Sequence, residues 1–194
     1  MRNRLGYVAL WIAVLGAWFS LVFYGADWLT AQRPRHVVPH FAWELQLPFV
    51  PSLALVYLSV NVLLPTAFVL QPTRREVRML GLALCADILV AGVCFILYPA
   101  QLAFEPPLVA GTIFRFVDRL NGDYNLIPSL HIALAVTSVA VCATRAKPLW
   151  WLWAMAIAAS TLLTHQHHVI DVASGWLLGI AGGRLYRGIN QSQL

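Results

Sequence analysis

The sequence predicts an all-α integral membrane protein, a six-helix bundle in which residues 1–194 form a single domain. Apolar residues make up 60% of the chain and charged residues only 11%, against about 25% charged residues in an average soluble domain. The mean hydropathy is +0.71. Because a soluble globule of this size cannot bury so much apolar surface, the composition excludes a soluble enzyme, a disordered chain and a nucleic-acid-binding domain.

Six apolar stretches account for the predicted helices. They are residues 5–23, 49–70, 79–98, 128–143, 149–163 and 169–186. A spanning helix takes about 20 apolar residues, so six of them use roughly 120 residues and leave about 70 for loops and ends. The first stretch follows Arg2 and Arg4 but precedes no clear small-x-small cleavage site. We therefore expect a retained anchor helix rather than a signal peptide.

The basic residues are unequally divided between the two sides of the predicted bundle. Nine of the thirteen lie on one side: Arg2, Arg4, Arg74, Arg75, Arg78, Arg145, Lys147, Arg184 and Arg187. The positive-inside rule then predicts that both termini are cytoplasmic. All six histidines lie at or near the opposite, extracytoplasmic face: His36, His40, His131, His165, His167 and His168. The basic excess is therefore a topology signal, and we expect no nucleic-acid partner.

Residues 125–131 read Asn-Leu-Ile-Pro-Ser-Leu-His and mark the start of the fourth helix near Pro128, because proline suits the first turn of a helix. A helix N-terminus presents unpaired N–H groups and the positive end of the helix dipole, which together favour an anion such as phosphate. Ser129 adds a hydroxyl donor, and His131 adds a titratable group. The alternative is a helix cap beside an interfacial histidine.

Residues 165–171 read His-Gln-His-His-Val-Ile-Asp and pair a histidine with a carboxylate. His167 and Asp171 are spaced i, i+4, so on a helix they share one face. A carboxylate that accepts the proton of one imidazole nitrogen leaves the other nitrogen available as a base or nucleophile. The alternatives are a structural His–Asp pair, or a metal site formed by His165, His167 and His168. Neither a cysteine nor HExxH-type spacing accompanies these histidines.

The segment Pro128-Ser129-Leu130-His131 resembles the second motif, Pro-Ser-x-His, of the type 2 phosphatidic acid phosphatase superfamily. Ser160, His167 and Asp171 are spaced as in its third motif, and the resemblance covers roughly residues 49–179. It implies that His167 attacks phosphorus and forms a phosphohistidine, that Asp171 orients it, and that His131 protonates the leaving oxygen. It also implies that Ser129 and Ser160 help to hold the phosphate.

The chain departs from the superfamily pattern at two points. Thr161 occupies the third-motif position where arginine is usual, and the first motif, a lysine followed by Arg-Pro, is absent. These departures, together with residues 46–58, resemble the branch similar to inositol-phosphorylceramide synthase, which includes headgroup transferases as well as phosphatases. Arg115 and Arg119 are candidates for the missing phosphate-binding cations. The alternative is an arginine pair that faces solvent or lipid headgroups.

Two enzymatic functions follow from these residues. The first is hydrolysis of a phospholipid or polyprenyl (di)phosphate monoester without a metal ion, and the alternative is phospholipid headgroup phosphotransfer by the same histidines. We expect no cofactor, a lipid phosphate as substrate and membrane lipids as surroundings, and the oligomeric state is left open. Non-enzymatic alternatives are a haem protein with His131 and His167 as axial ligands, or a silent transporter or scaffold. Since His168 has no assigned role, we expect a mild effect of His168→Ala.

Overall fold

The computed structural model describes residues 2–105, 111–142 and 144–191, and in this part of the chain every regular element is helical. The prediction of an all-α fold is therefore confirmed. Two 3-10 turns, Ala42–Gln46 and Pro51–Leu53, precede the second helix. The α-helices are α1 (Arg2–Ala31), α2 (Ala54–Leu58), α3 (Val60–Leu70), α4 (Arg74–Leu97), α5 (Thr112–Leu120), α6 (Leu130–Val141), α7 (Lys147–Leu163) and α8 (Val169–Gln191).

Three helical segments are long and apolar enough to cross a membrane, namely Arg4–Ala31, Pro51–Leu70 and Arg74–Leu97. The second of these is a succession of short pieces, and Pro65 lies inside its last helix, α3. Helix α6 has 12 residues and rises only about 18 Å at 1.5 Å per residue, less than the hydrocarbon core of about 30 Å. The membrane-length prediction thus holds for three segments, and the full six-span arrangement stays a prediction.

Helix α6 lies at the centre of the bundle. It packs against α3, α4, α7 and α8, and nine of its twelve residues are buried. A helix that is apolar on all sides is stable only when other elements surround it. The fold therefore holds the first turn of α6, which carries His131, against several neighbouring helices.

Glycines let α8 approach α6 more closely than larger residues would permit. Gly175 and Gly179 are four residues apart and so lie on one face of α8. A Cβ on Gly179 would lie 2.6 Å from the carbonyl oxygen of Ala133, and a Cβ on Gly175 would collide with the carbonyl oxygen of Ser129. At the same end of the two helices, the backbone N–H of Ser129 donates to the carbonyl oxygen of Asp171 at 2.9 Å.

The C-terminal end of α1 anchors the segment that leads into α6. The side-chain amide of Asn125 donates to the carbonyl oxygen of Phe23 at 2.6 Å, and the backbone N–H of Tyr124 donates to Oδ1 of Asp27 at 3.2 Å. The ring of His36 stacks on that of Tyr124 at 3.8 Å. These contacts tie residues 121–129 to the bundle before α6 begins.

We predict that Gly179→Val destabilises the protein by about 2 kcal/mol, because overpacking typically costs about 1–3 kcal/mol and the clash here involves backbone. Thermal unfolding of the detergent-solubilised protein, followed by circular dichroism, measures the change. Gly188→Val is the matched control in the same helix, since nothing lies within 4 Å of a Cβ at Gly188. Equal melting temperatures for the two variants would contradict the close helix approach.

Candidate active site

Histidines from distant parts of the sequence, His131 on one side and His165 and His167 on the other, line one cavity of about 460 Å³. His131 lies in the first turn of α6, and His167 lies two residues before α8 begins. Their ring centroids are 6.2 Å apart, and the ring planes are inclined by 61°. The cavity volume falls within the range of about 300–1,000 Å³ that is usual for small-molecule sites. A ligand in this cavity can therefore contact both rings.

His167 presents one free nitrogen to the cavity. Its Nδ1 lies 3.4 Å from Oδ2 of Asp171, which also accepts a 2.7 Å hydrogen bond from the backbone N–H of His168. The 3.4 Å contact is longer than a usual hydrogen bond, although such contacts often tighten when substrate binds. A proton on Nδ1 is stabilised by Asp171, so Nε2 keeps its lone pair. No described residue hydrogen-bonds to Nε2.

The turn between α7 and α8 sets the direction of His167. The carbonyl oxygen of Thr161 accepts hydrogen bonds from the backbone N–H groups of Gln166 and His167, at 3.0 and 3.2 Å. His165 has a φ of 53°, in the left-handed region that costs a non-glycine residue about 1–2 kcal/mol. Desolvation lowers the pKa of His165, and its neutral ring donates from Nε2 to the carbonyl oxygen of Leu47 at 3.1 Å. This hydrogen bond fixes the ring of His165, which also lines the cavity.

A chain of hydrogen bonds leads from a carboxylate toward His131. The Nε2 atom of Gln166 donates to Oδ1 of Asp118 at 3.3 Å, and Oε1 of Gln166 accepts from Nδ2 of Asn121. Oδ1 of Asn121 in turn accepts a 2.8 Å hydrogen bond from the hydroxyl of Tyr57. An ionised carboxylate only accepts hydrogen bonds. Each hydrogen bond in this series is therefore donated in the direction of Asp118.

The last bond of the chain determines which nitrogen of His131 carries a proton. The single O–H of Tyr57 is donated to Asn121, so its oxygen accepts at the 3.1 Å contact with Nδ1 of His131. His131 thus holds a proton on Nδ1, and its Nε2 has no hydrogen-bond partner among the described residues. The hydrogen bond from Nδ1 fixes the tautomer and the orientation of the ring and leaves Nε2 as the nitrogen that can exchange a proton.

Sequence reasoning missed this hydrogen-bond chain because its members come from separate elements. Tyr57 lies in α2, Asp118 in α5, Asn121 directly after α5, and Gln166 in the turn before α8. Only Gln166 carries a local signal, since it stands between two histidines. The other three become neighbours through tertiary packing, which no spacing in the sequence reveals.

His168 is joined to a buried carboxylate outside the cavity. Its Nδ1 lies 2.8 Å from Oε2 of Glu44, and both side chains are fully buried. Its Nε2 accepts a 3.0 Å hydrogen bond from the backbone N–H of Ala103, so Nδ1 carries the proton and donates to Glu44. Glu44 also accepts from the backbone N–H of Val169 at 3.2 Å. These bonds fix the first residues of α8 beside His167, so we expect His168→Ala to affect stability, whereas its mild effect on turnover stays a prediction.

The structure leaves the four predicted phosphate-binding residues outside the cavity wall. Ser129 is fully buried, and its Oγ has no hydrogen-bond partner among the described residues. Its backbone N–H, expected to be free, donates within the protein. Ser160 is 1% exposed, and its hydroxyl donates to a carbonyl oxygen of its own helix at 2.6 Å. Arg115 and Arg119 are exposed on α5, and neither lines the cavity. Their phosphate-binding roles stay predictions.

The three neighbouring histidines do not converge on a common point. His165 contacts the carbonyl oxygen of Leu47, His168 contacts Glu44, and His167 contacts Asp171, although His165 and His167 both line the cavity. Within the described ranges, no group of three or more His, Cys, Asp or Glu side chains has the arrangement of a metal site. The alternative of a metal site formed by these three histidines therefore has no geometric support.

No protein-family model matches this chain, and no curated protein or solved structure matches it significantly. The two sequence motifs and the cavity that their histidines share are therefore the features that bear on function.

We predict that His168→Ala lowers the free energy of unfolding by about 3 kcal/mol, because it removes a hydrogen-bond donor from the buried carboxylate of Glu44 and leaves a cavity in the interior. Chemical denaturation in detergent, followed by tryptophan fluorescence, measures the loss. Glu44→Gln should cost less, since the amide oxygen still accepts from Nδ1. His40→Ala is the control, because His40 is exposed. A His168→Ala protein as stable as His40→Ala would refute the structural role.

Proposed function

We propose that this chain is an integral membrane enzyme that cleaves a lipid phosphoester through a phosphohistidine on His167, without a metal ion. The observation that carries the proposal is the pair of imidazoles in one cavity, each with Nδ1 held by a partner and with no partner for Nε2 among the described residues. Phosphoryl transfer needs a nucleophile and a proton donor on either side of phosphorus. The ring centroids are 6.2 Å apart, so one phosphoryl group between the rings can approach a nitrogen of each to about 3–3.5 Å.

The two motifs support membership of the type 2 phosphatidic acid phosphatase superfamily, in the branch similar to inositol-phosphorylceramide synthase. In this proposal six helices cross the plasma or inner membrane, both termini are cytoplasmic, and the cavity opens at the extracytoplasmic face. Three membrane-length apolar helices support the membrane location. The nine basic residues predicted on the opposite side support the orientation.

The reaction proceeds in two displacements. Nε2 of His167 attacks phosphorus, the bond from phosphorus to the lipid oxygen breaks, and protonated His131 gives the proton of its Nε2 to that oxygen. An acceptor O–H then attacks phosphorus, its proton passes to His131, and the N–P bond breaks. Asp171 balances the positive charge that the ring of His167 carries in the intermediate. Both imidazoles return to their initial state.

The identity of the acceptor separates two versions of this function. Attack by water gives a lipid phosphate phosphatase, which hydrolyses a phospholipid or polyprenyl (di)phosphate monoester. Attack by a second alcohol gives a headgroup phosphotransferase. The same two histidines serve both versions, because only the molecule that enters in the second displacement differs.

An apolar groove supports a lipid substrate. This second cavity, of about 280 Å³, is bounded by side chains of α1, α3, α4 and α6, nearly all of them apolar. His131 lines both the groove and the larger cavity that holds His167. A hydrocarbon chain in the groove would bring its ester oxygen to His131, which is the proposed proton donor.

We predict that His167→Ala and His131→Ala each lower kcat/KM by at least about 10³-fold, because the first removes the nucleophile and a positioned general acid alone contributes about 10²–10⁴-fold. The assay follows free phosphate and transferred product from phosphatidic acid and from a polyprenyl diphosphate, in micelles that contain EDTA.

His40→Ala is the control for these variants, because it removes an exposed imidazole that lines none of the three cavities described. Full activity of His167→Ala would refute the nucleophile. Activity that EDTA abolishes and a divalent metal restores would refute the metal-independent mechanism.

We predict that Tyr57→Phe moves the high-pH limb of the kcat profile to lower pH by about one unit. The variant removes the oxygen that accepts from Nδ1 of His131, and a hydrogen bond to a charged group is worth about 1.5–3 kcal/mol. Because the general acid acts only when protonated, losing that bond cuts activity first at high pH. Tyr98→Phe is the control, since Tyr98 is exposed. An unshifted limb would rule out the hydrogen-bond chain as a support of His131.

A further inference from the structure

The cavity that holds both histidines is lined by acidic groups rather than basic ones. Its wall includes the side chains of Glu105, Asp118 and Asp123 and, among the described residues, no Lys or Arg. Residues 106–110, which follow Glu105, are uncharged in the sequence. A phosphate monoester carries about 1.5 to 2 negative charges at neutral pH. Three carboxylates around it would repel such a group, so the charge of the wall fits a different substrate.

The carboxylates of the wall are not neutralised by neighbouring cations. No ion pair joins any of the three to a described Lys or Arg. Four arginines belong to the predicted extracytoplasmic side, and all four are exposed and lie outside the wall: Arg33, Arg35, Arg115 and Arg119. The cavity therefore presents a net negative potential to whatever enters it.

Two further features of the same wall favour an organic cation that is attached to a reactive phosphorus. His167 belongs to this wall and is 5% exposed. Its Nε2 lacks a hydrogen-bond partner among the described residues. The rings of Phe104, Phe114 and Tyr124 also line it, with Phe104 stacked on His165 and His168 and Tyr124 stacked on His36. Aromatic faces that stay uncovered attract ammonium groups, and quaternary ammonium ions above all, by the cation–π interaction.

We propose that the substrate is a phosphodiester lipid whose headgroup is an amino alcohol, and that its ammonium group binds among Glu105, Asp118 and Asp123. This assignment rests on the phosphohistidine chemistry proposed above. The apolar groove that reaches His131 holds the hydrocarbon chains, so the lipid oxygen lies at the proton donor and the headgroup lies in the acidic cavity. The amino alcohol therefore stays on phosphorus during the first displacement.

The first displacement releases diacylglycerol. Nε2 of His167 bonds to phosphorus, the bond from phosphorus to the glycerol oxygen breaks, and diacylglycerol leaves with the proton of His131. The phosphorylated amino alcohol is then carried on His167. Water releases it as the free phosphomonoester, and an alcohol takes it as a new phosphodiester. Diacylglycerol is the first product with either acceptor.

Diacylglycerol release from three lipids with identical chains tests the assignment on the purified full-length protein. The lipids are phosphatidylethanolamine, phosphatidylglycerol and phosphatidic acid, which differ in headgroup charge but not in the bond that breaks. We expect kcat/KM for phosphatidylethanolamine to exceed that for each of the other two by at least about tenfold, a discrimination of about 1.4 kcal/mol. His167→Ala should abolish all release.

The outcomes separate this assignment from the proposed function. The headgroup assignment is wrong if phosphatidic acid or phosphatidylglycerol releases diacylglycerol at an equal or higher kcat/KM and His167→Ala abolishes that release. That result leaves the phosphohistidine chemistry standing. Release that persists in His167→Ala, or no release from any lipid, would overturn both.

Charge-neutralising variants test the wall itself. Glu105→Gln and Asp123→Asn should each raise the KM for phosphatidylethanolamine about three- to fivefold, since an exposed ion pair is worth up to about 1 kcal/mol, with kcat unchanged. Glu76→Gln is the matched control, because it removes one carboxylate from the start of α4 and glutamine preserves the capping box with Thr73. If Glu76→Gln raises the KM for phosphatidylethanolamine as much as Asp123→Asn does, the ammonium group does not bind at the wall.

Discussion

The close approach of α6 and α8 is the constraint on which the candidate site depends. Glycine at positions 175 and 179 lets α8 contact the backbone of α6, with carbonyl oxygens where a side chain would otherwise lie. The two helices then share a hydrogen bond at their first turns, from Ser129 to Asp171. Because His131 follows one of these residues and His167 precedes the other, helix packing alone brings the two imidazoles into one cavity.

Separate hydrogen-bond partners give neighbouring histidines different roles. His165 donates to a backbone carbonyl, and His168 is fixed by the buried Glu44. His167 has Asp171 on one nitrogen and the cavity on the other. A buried polar network of this kind stabilises a single arrangement, since any unmade bond in a low-dielectric interior is costly. Of the three adjacent histidine side chains, only His167 combines a carboxylate partner with a free nitrogen in the shared cavity.

The sequence predicted those features that depend on local pattern. The helical class follows from long apolar runs. The contact between His167 and Asp171 was expected on one helix face, but His167 lies before α8, so the contact instead bridges the turn and the first turn of that helix. The series of hydrogen bonds through Tyr57, Asn121 and Gln166 could not be predicted, because these side chains become neighbours only when elements far apart in sequence pack together. The positions of charged side chains around the cavity could not be predicted either. Arg115 and Arg119 lie in the segment before α6 and are exposed outside the wall, whereas Asp118 and Asp123 of the same region line the cavity.

The central claim is that phosphorus bonds covalently to Nε2 of His167. It is tested most directly by rapid alkaline quenching of the enzyme during turnover of a lipid with radiolabelled phosphorus, followed by peptide mapping. The account predicts an acid-labile, alkali-stable label on the peptide that contains His167, and none in His167→Ala. A label on another residue, or continued turnover with no labelled protein at any quench time, would contradict it.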